Sequence, residues 1–79
     1  MFYYLIRYSF DAEKDVIGPF KTEDEAWKAA NDDADNECRI DTENGWTTDM
    51  FVHEGSKEIE LSNYYNGNEC ITEYIVFEL

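Results

Sequence analysis

The chain has 79 residues, with two Trp, six Tyr and five Phe, and its nineteen Asp and Glu against six Lys and Arg leave a net charge of −13. That length supports one domain, 1–79, near the size at which a hydrophobic core only just outweighs chain entropy, and the aromatic rings supply enough buried area to close such a core and to argue against disorder. The charge argues against nucleic acid or an anionic membrane as a direct ligand and points to a basic protein surface or a cation.

Residues Phe2 to Phe10 read as the first strand. Phe2, Tyr4, Ile6, Tyr8 and Phe10 alternate onto one face and Tyr3, Leu5, Arg7 and Ser9 onto the other. A polar turn is expected over Asp11 to Asp15, with Val16 and Ile17 as a short return strand before Gly18-Pro19. Thr22 followed three residues later by Glu25 is a capping box, and Glu23 and Asp24 place negative charge where a helix dipole favours it. Ala26, Trp27, Ala30, Ala34 and Cys38 then recur at helical spacing, predicting a helix that ends between Asn36 and Arg39. Asp32, Asp33, Asp35 and Glu37 are assigned to its outer face, and Asp41 to Gly45 to a loop.

Thr47 to His53 reads as a strand, Glu54-Gly55-Ser56 as a hairpin turn, and Lys57 to Ser62 as a strand with Ile59 and Leu61 on one face. Asn66-Gly67-Asn68 marks another turn. Cys70 to Leu79 is the last strand, with Ile71, Ile75, Phe77 and Leu79 on one face. The expected fold is α+β: one helix packed on an antiparallel sheet of about four strands, in the order β-α-β-β-β.

Little in the sequence points to catalysis, and no enzyme activity or cofactor is expected. The single histidine, His53, lies in a predicted strand beside a turn; Ser9, Ser56 and Ser62 lack the context of a nucleophile elbow. The four glycines stand singly in turns, so no phosphate-binding loop is present. An EF-hand loop begun at Asp33 puts Cys38 at the glycine position and Asn44 at the twelfth; one begun at Asp41 puts Gly45 fifth and Val52 twelfth. Both registers fail, which leaves only weak divalent-cation binding by the carboxylates. Cys38 and Cys70 have no metal-site spacing and are expected as buried free thiols, consistent with a cytoplasmic chain without a signal or membrane-spanning segment.

The acidic surface is the feature with a functional implication. Thirteen charges equal the charge on roughly 22 Å of duplex DNA, and a globule of this length is about 30 Å across. Nine of the nineteen acids lie between Glu23 and Glu43, offset there by only Lys28 and Arg39. Asp32, Asp33, Asp35, Glu37, Asp41 and Glu43 are the candidate partner-binding acids. Tyr64 and Tyr65 beside a turn are candidate interface anchors, and Trp46 is a second one. The same charges also fit a merely solvated helix face.

The segment Gly18-Pro19-Phe20-Lys21-Thr22-Glu23-Asp24-Glu25-Ala26 resembles a strand-to-helix entry found in short bacterial and phage proteins. Size, charge and α+β order together resemble small phage-encoded DNA-mimic inhibitors of the anti-CRISPR and anti-restriction kind, in which carboxylates stand in for phosphates. That resemblance is compositional and transfers no residue role. It implies a non-enzymatic inhibitor, monomeric or weakly dimeric, that occupies a basic nucleic-acid-binding site on a nuclease or CRISPR effector subunit in a bacterial host. The alternative expectation is an acidic accessory module with an ordinary cellular protein partner.

Overall fold

A computed structural model describes residues 1–9 and 14–79. Its elements are β1 (Phe2–Tyr8), β2 (Lys14–Phe20), α1 (Glu23–Glu43), β3 (Thr47–His53), β4 (Glu58–Tyr65) and β5 (Asn68–Glu78). The strands form an antiparallel sheet in the order β2-β1-β5-β4-β3. Because α1 joins β2 at one edge to β3 at the other, it must cross the sheet, and it touches all five strands.

The α+β class with one helix on an antiparallel sheet agrees with expectation, but the strand count is five and the order β-β-α-β-β-β. The difference is β2, expected as a two-residue return and observed as a seven-residue strand. Gly18-Pro19 argues against a strand in sequence. At a sheet edge, however, a residue without an N–H is tolerated, and the ladder shifts register opposite Tyr3 to accommodate it. Gly18 has φ +150°, and a Cβ there would come within 2.6 Å of Tyr3 Cδ1, so this edge depends on glycine. Of the turn expected over Asp11 to Asp15, Lys14 and Asp15 belong to β2 instead, and residues 11–13, like Phe10, lie outside the described residues.

Thr22 caps α1 as expected: its Oγ1 accepts from the Glu25 amide at 3.1 Å. Glu25 reaches back one residue further than a standard capping box, accepting from the Lys21 amide at 3.3 Å. The helix runs on to Glu43 rather than ending at Asn36 to Arg39, so Asp41 and Glu43 are helical, not loop. Its stop comes at Gly45, with φ +90°. There the Gly45 amide donates to Thr42 O at 3.1 Å and the Trp46 amide to Asp41 O at 2.9 Å. These two bonds close a Schellman motif that satisfies the last free carbonyls.

Ala26, Ala30 and Ala34 are fully buried, and their small side chains let the helix lie close to the sheet. Beneath them sit Tyr4 and Ile6 of β1, Ile59 and Leu61 of β4, and Tyr74 of β5. Tyr4 stacks on Phe20 at 6.0 Å and tilts against Tyr74 at 6.4 Å, so aromatic rings fill the volume that short alanines leave. Cys38 and Cys70 are free and half-buried.

The register decides which face of β5 the helix covers. Tyr4 pairs with Val76, Ile6 with Tyr74 and Tyr8 with Thr72, so Thr72, Tyr74 and Val76 face the helix. Ile71, Ile75 and Phe77 therefore lie on the opposite, open face, where Phe77 stacks on Tyr3 at 5.6 Å. Both sets of β5 residues carry apolar bulk, and only pairing with β1 and β4 decides which one the helix covers.

Candidate functional site

The nine carboxylates of α1 lie on a 21-residue helix about 31 Å long, roughly one per 3.5 Å of axis. One strand of duplex DNA carries a phosphate about every 3.4 Å. Six of the nine fall between Asp32 and Glu43. The Cα envelope measures 40 × 23 × 20 Å, longer and narrower than the expected globule of about 30 Å, so the net charge along its length is about half that of duplex DNA.

The six candidate acids do not share one outer face. Asp32, Asp35 and Glu43 are exposed on the solvent side of α1. There Asp32 lies 3.7 Å from Lys28 Nζ and Glu43 3.1 Å from Arg39 Nη1, each pair one turn apart. Asp33, Glu37 and Asp41, which recur every four residues, are half-buried along the side of the helix that turns toward the sheet. None of the three has a Lys or Arg within ion-pair distance among the described residues.

Asp33 Oδ2 accepts from the Tyr4 hydroxyl at 2.8 Å. Burial, reinforced by this bond and the charge of Asp33, holds the Tyr4 hydroxyl well above the usual tyrosine range. Tyr74 is raised in the same way, by burial first and then by the charges of Asp33 and Glu37. The Glu37 carboxyl is itself pushed up. Burial is the main cause, followed by the charges of Asp41 and Asp33 and a hydrogen-bond contact with Asp41. Carboxylates are thus crowded together here without a cation.

Glu37 and Asp41 open onto a cleft of about 310 Å³ between the C-terminal half of α1 and the sheet. Tyr8 of β1 and Cys70 and Thr72 of β5 line its sheet side, with Trp46 and Asn63 completing it. The Schellman turn places Trp46 there, and its ring packs against Tyr65 with centroids 5.3 Å apart. Asn63 of β4 is only 8 % exposed and donates through Nδ2 to Asp41 Oδ2 at 2.7 Å. Its Oδ1 is buried without a hydrogen-bond partner, as is Oγ1 of Thr48, which sits directly opposite Asn63 in the β3–β4 ladder. Most buried polar atoms are paired, so two adjacent unpaired ones beside a cleft are unusual.

No family model, curated protein or solved structure matches this chain. Its function must be read from its own side chains.

Tyr64 and Tyr65, both candidate interface anchors, point to opposite faces because they are consecutive in a strand. Tyr65 faces the helix side and supports Trp46; Tyr64 lies on the open sheet face. Asn63, Tyr8, Cys70 and Thr72 were not singled out in the sequence. No local motif marks them, since three different strands bring them together. Among the described residues, no group of three or more His, Cys, Asp and Glu is arranged to hold a metal ion, and no helix is long and apolar enough to cross a membrane.

Proposed function

We propose that this protein is a non-catalytic acidic binding module that engages a basic surface, with the nucleic-acid-binding site of a bacterial CRISPR or restriction complex as its target. The observation that carries this reading is the charge on α1. Six of its nine carboxylates, Glu23, Asp24, Glu25, Asp32, Asp35 and Glu43, are exposed, with only Lys28 and Arg39 against them on the helix. A surface shaped to hold phosphates presents fixed Lys and Arg side chains, and the exposed acids of α1 are their electrostatic complement. Such charges speed encounter and make association sensitive to salt. The module acts by occupancy, keeping nucleic acid out, and needs no bond-making step.

The test is inhibition of DNA cleavage by a panel of restriction and CRISPR effector complexes, at low and physiological salt. The expected result is inhibition of at least one complex, weakened at the higher salt. It should be lost when Asp32, Asp35 and Glu43, exposed residues that support no part of the core, are all changed to Lys. Inhibition that survives the triple substitution, or no inhibition across the panel, overturns the reading.

A second reading is favoured by the open face of the sheet. Val16 is 57 % exposed and Phe51 48 % exposed, and Tyr64 lies exposed on the same face. Half-buried Leu5, Ile71 and Ile75 lie between them. A face of this composition suits an accessory module with an ordinary protein partner. Binding there would change little with salt, and Phe51→Ser would weaken it while the triple Lys variant would not.

A further inference from the structure

The cleft beneath the C-terminal half of α1 combines carboxyls with an aromatic wall. Two carboxyls, Glu37 and Asp41, meet at its mouth with no Lys or Arg paired to either among the described residues. Behind them Asn63 has committed its Nδ2 donor to Asp41, and the Oδ1 of the same amide is left unpaired. The Nδ2 bond to a carboxylate fixes which way the amide points, because the flipped amide would set Oδ1 against a negative oxygen. Two crowded carboxyls, one of them anchored by a buried amide, call for a donor-rich positive group.

The walls narrow the choice of cation. Trp46, backed by Tyr65, forms an aromatic side to the site, and aromatic faces attract organic cations. The protein already uses that chemistry at the other end of the helix, where Lys57 Nζ lies 5.3 Å from the centre of the Trp27 ring. Trp46, at the acidic end, has no such cation among the described residues. A hydrated divalent ion gains nothing from an indole wall and needs more oxygen ligands than two carboxyls and one amide. A planar guanidinium has five donors in a fixed fork, bridges a carboxylate pair and stacks on aromatic rings. The volume of about 310 Å³ is at the small end for ligand sites, the scale of one side chain rather than a large cofactor.

We propose that this cleft receives one guanidinium group, the side chain of an arginine presented by the basic partner. The inference rests on the reading of α1 as a surface for a basic partner and adds a specific socket to it. The exposed acids steer the encounter, and the arginine then seats between the Glu37–Asp41 pair and Trp46. Seating a positive charge there offsets the charges of Asp41 and Asp33, which add to burial in raising the Glu37 carboxyl.

The probe is the blocked tripeptide acetyl-Gly-Arg-Gly-amide, titrated into the whole protein and followed by the NMR signals of the Trp46 indole N–H and the Asn63 side-chain amide. A saturable shift of both signals is expected. Binding should be at least tenfold weaker for the citrulline tripeptide, which keeps the shape and loses the charge, and several-fold weaker for the lysine tripeptide. Asp41→Asn should weaken arginine binding at least tenfold. Glu37→Gln, which removes a crowded charge and is not expected to unfold the chain, should weaken it as well. Shifts that do not saturate by about 50 mM, citrulline or lysine binding equal to arginine, or the same two signals moving with CaCl₂ would each overturn the assignment. Asp32, Asp35 and Glu43 do not line the cleft, so the nuclease-inhibition test and this titration can fail independently.

Discussion

At the residue scale, Glu37 shows how a half-buried carboxylate among acidic neighbours opposes folding. Asp33 and Asp41 face it from its own helix, and it acts electrostatically on Tyr8 of β1 and Tyr74 of β5. Its folded-state carboxyl is raised, chiefly by burial and then by Asp41 and Asp33. An acid that binds its proton more tightly in the folded chain contributes stability fully present below its unfolded value, and that stability is lost as pH rises through the raised folded value. Glu37→Gln removes this penalty where the acid is ionised. Thermal unfolding is therefore expected to show a higher Tm than wild type at pH 7, with the difference shrinking toward zero below about pH 4, where glutamate carries its proton in both states. A variant less stable than wild type at pH 7 would mean that Glu37 is held by interactions other than those with its acidic neighbours.

At the scale of the element, α1 is defined by its two ends. The Thr22 hydroxyl satisfies the Glu25 amide, and Gly45 permits the bonds from Gly45 to Thr42 and from Trp46 to Asp41. Loss of the N-cap by Thr22→Ala is expected to lower stability by about 1 kcal/mol. Gly45→Ala meets no close atom, the nearest being Tyr65 Cε2 at 3.9 Å, so its effect comes from the positive φ alone, also about 1 kcal/mol. The two substitutions differ in where they act. Chemical denaturation should show similar losses for both, while only Gly45→Ala should disturb the Trp46 environment, because that turn positions the ring. Trp46 fluorescence unchanged by Gly45→Ala would show that packing on Tyr65, rather than the turn, sets its position.

Much of α1 was legible in sequence, including its N-cap, its alanine stripe and its acidic load. Its end was not. The stripe weakens after Cys38, and Asp41-Thr42-Glu43 is polar, yet the helix persists to where Gly45 can satisfy its last carbonyls. The one to two extra turns bring Asp41 within hydrogen-bond reach of Asn63.

At the scale of the whole molecule, −13 charges sit in a body 40 Å long, and acids occur on both sides of it. Asp49, Glu58, Glu60, Glu69 and Glu73 alternate onto the open sheet face opposite the helix. The only ion pair on that face among the described residues is Arg7–Glu73 at 2.9 Å. The charge is densest on α1 without being confined to it. Self-repulsion of this kind is screened once the Debye length falls well below the molecular dimensions, from about 30 Å at 0.01 M salt to about 3 Å at 1 M. Tm is therefore expected to rise with NaCl across that range and to rise less for the triple Lys variant. A flat response would mean that the carboxylates are too far apart to oppose folding.

The amino-acid sequence alone determined that the chain closes an aromatic-rich α+β core, that its helix is capped at Thr22, and that it carries a large negative charge. Local spacing and composition suffice for these, because capping, periodicity and net charge depend on near neighbours or on sums. Only the tertiary structure decided which face of β5 the helix covers, that Asp33, Glu37 and Asp41 turn inward while Asp32, Asp35 and Glu43 turn out, and that Asn63 meets Asp41 across 22 positions of chain. The physical reason is strand pairing: hydrogen bonds between β1, β5 and β4 set one register out of several that the same alternation would allow, and the cleft exists only in that register.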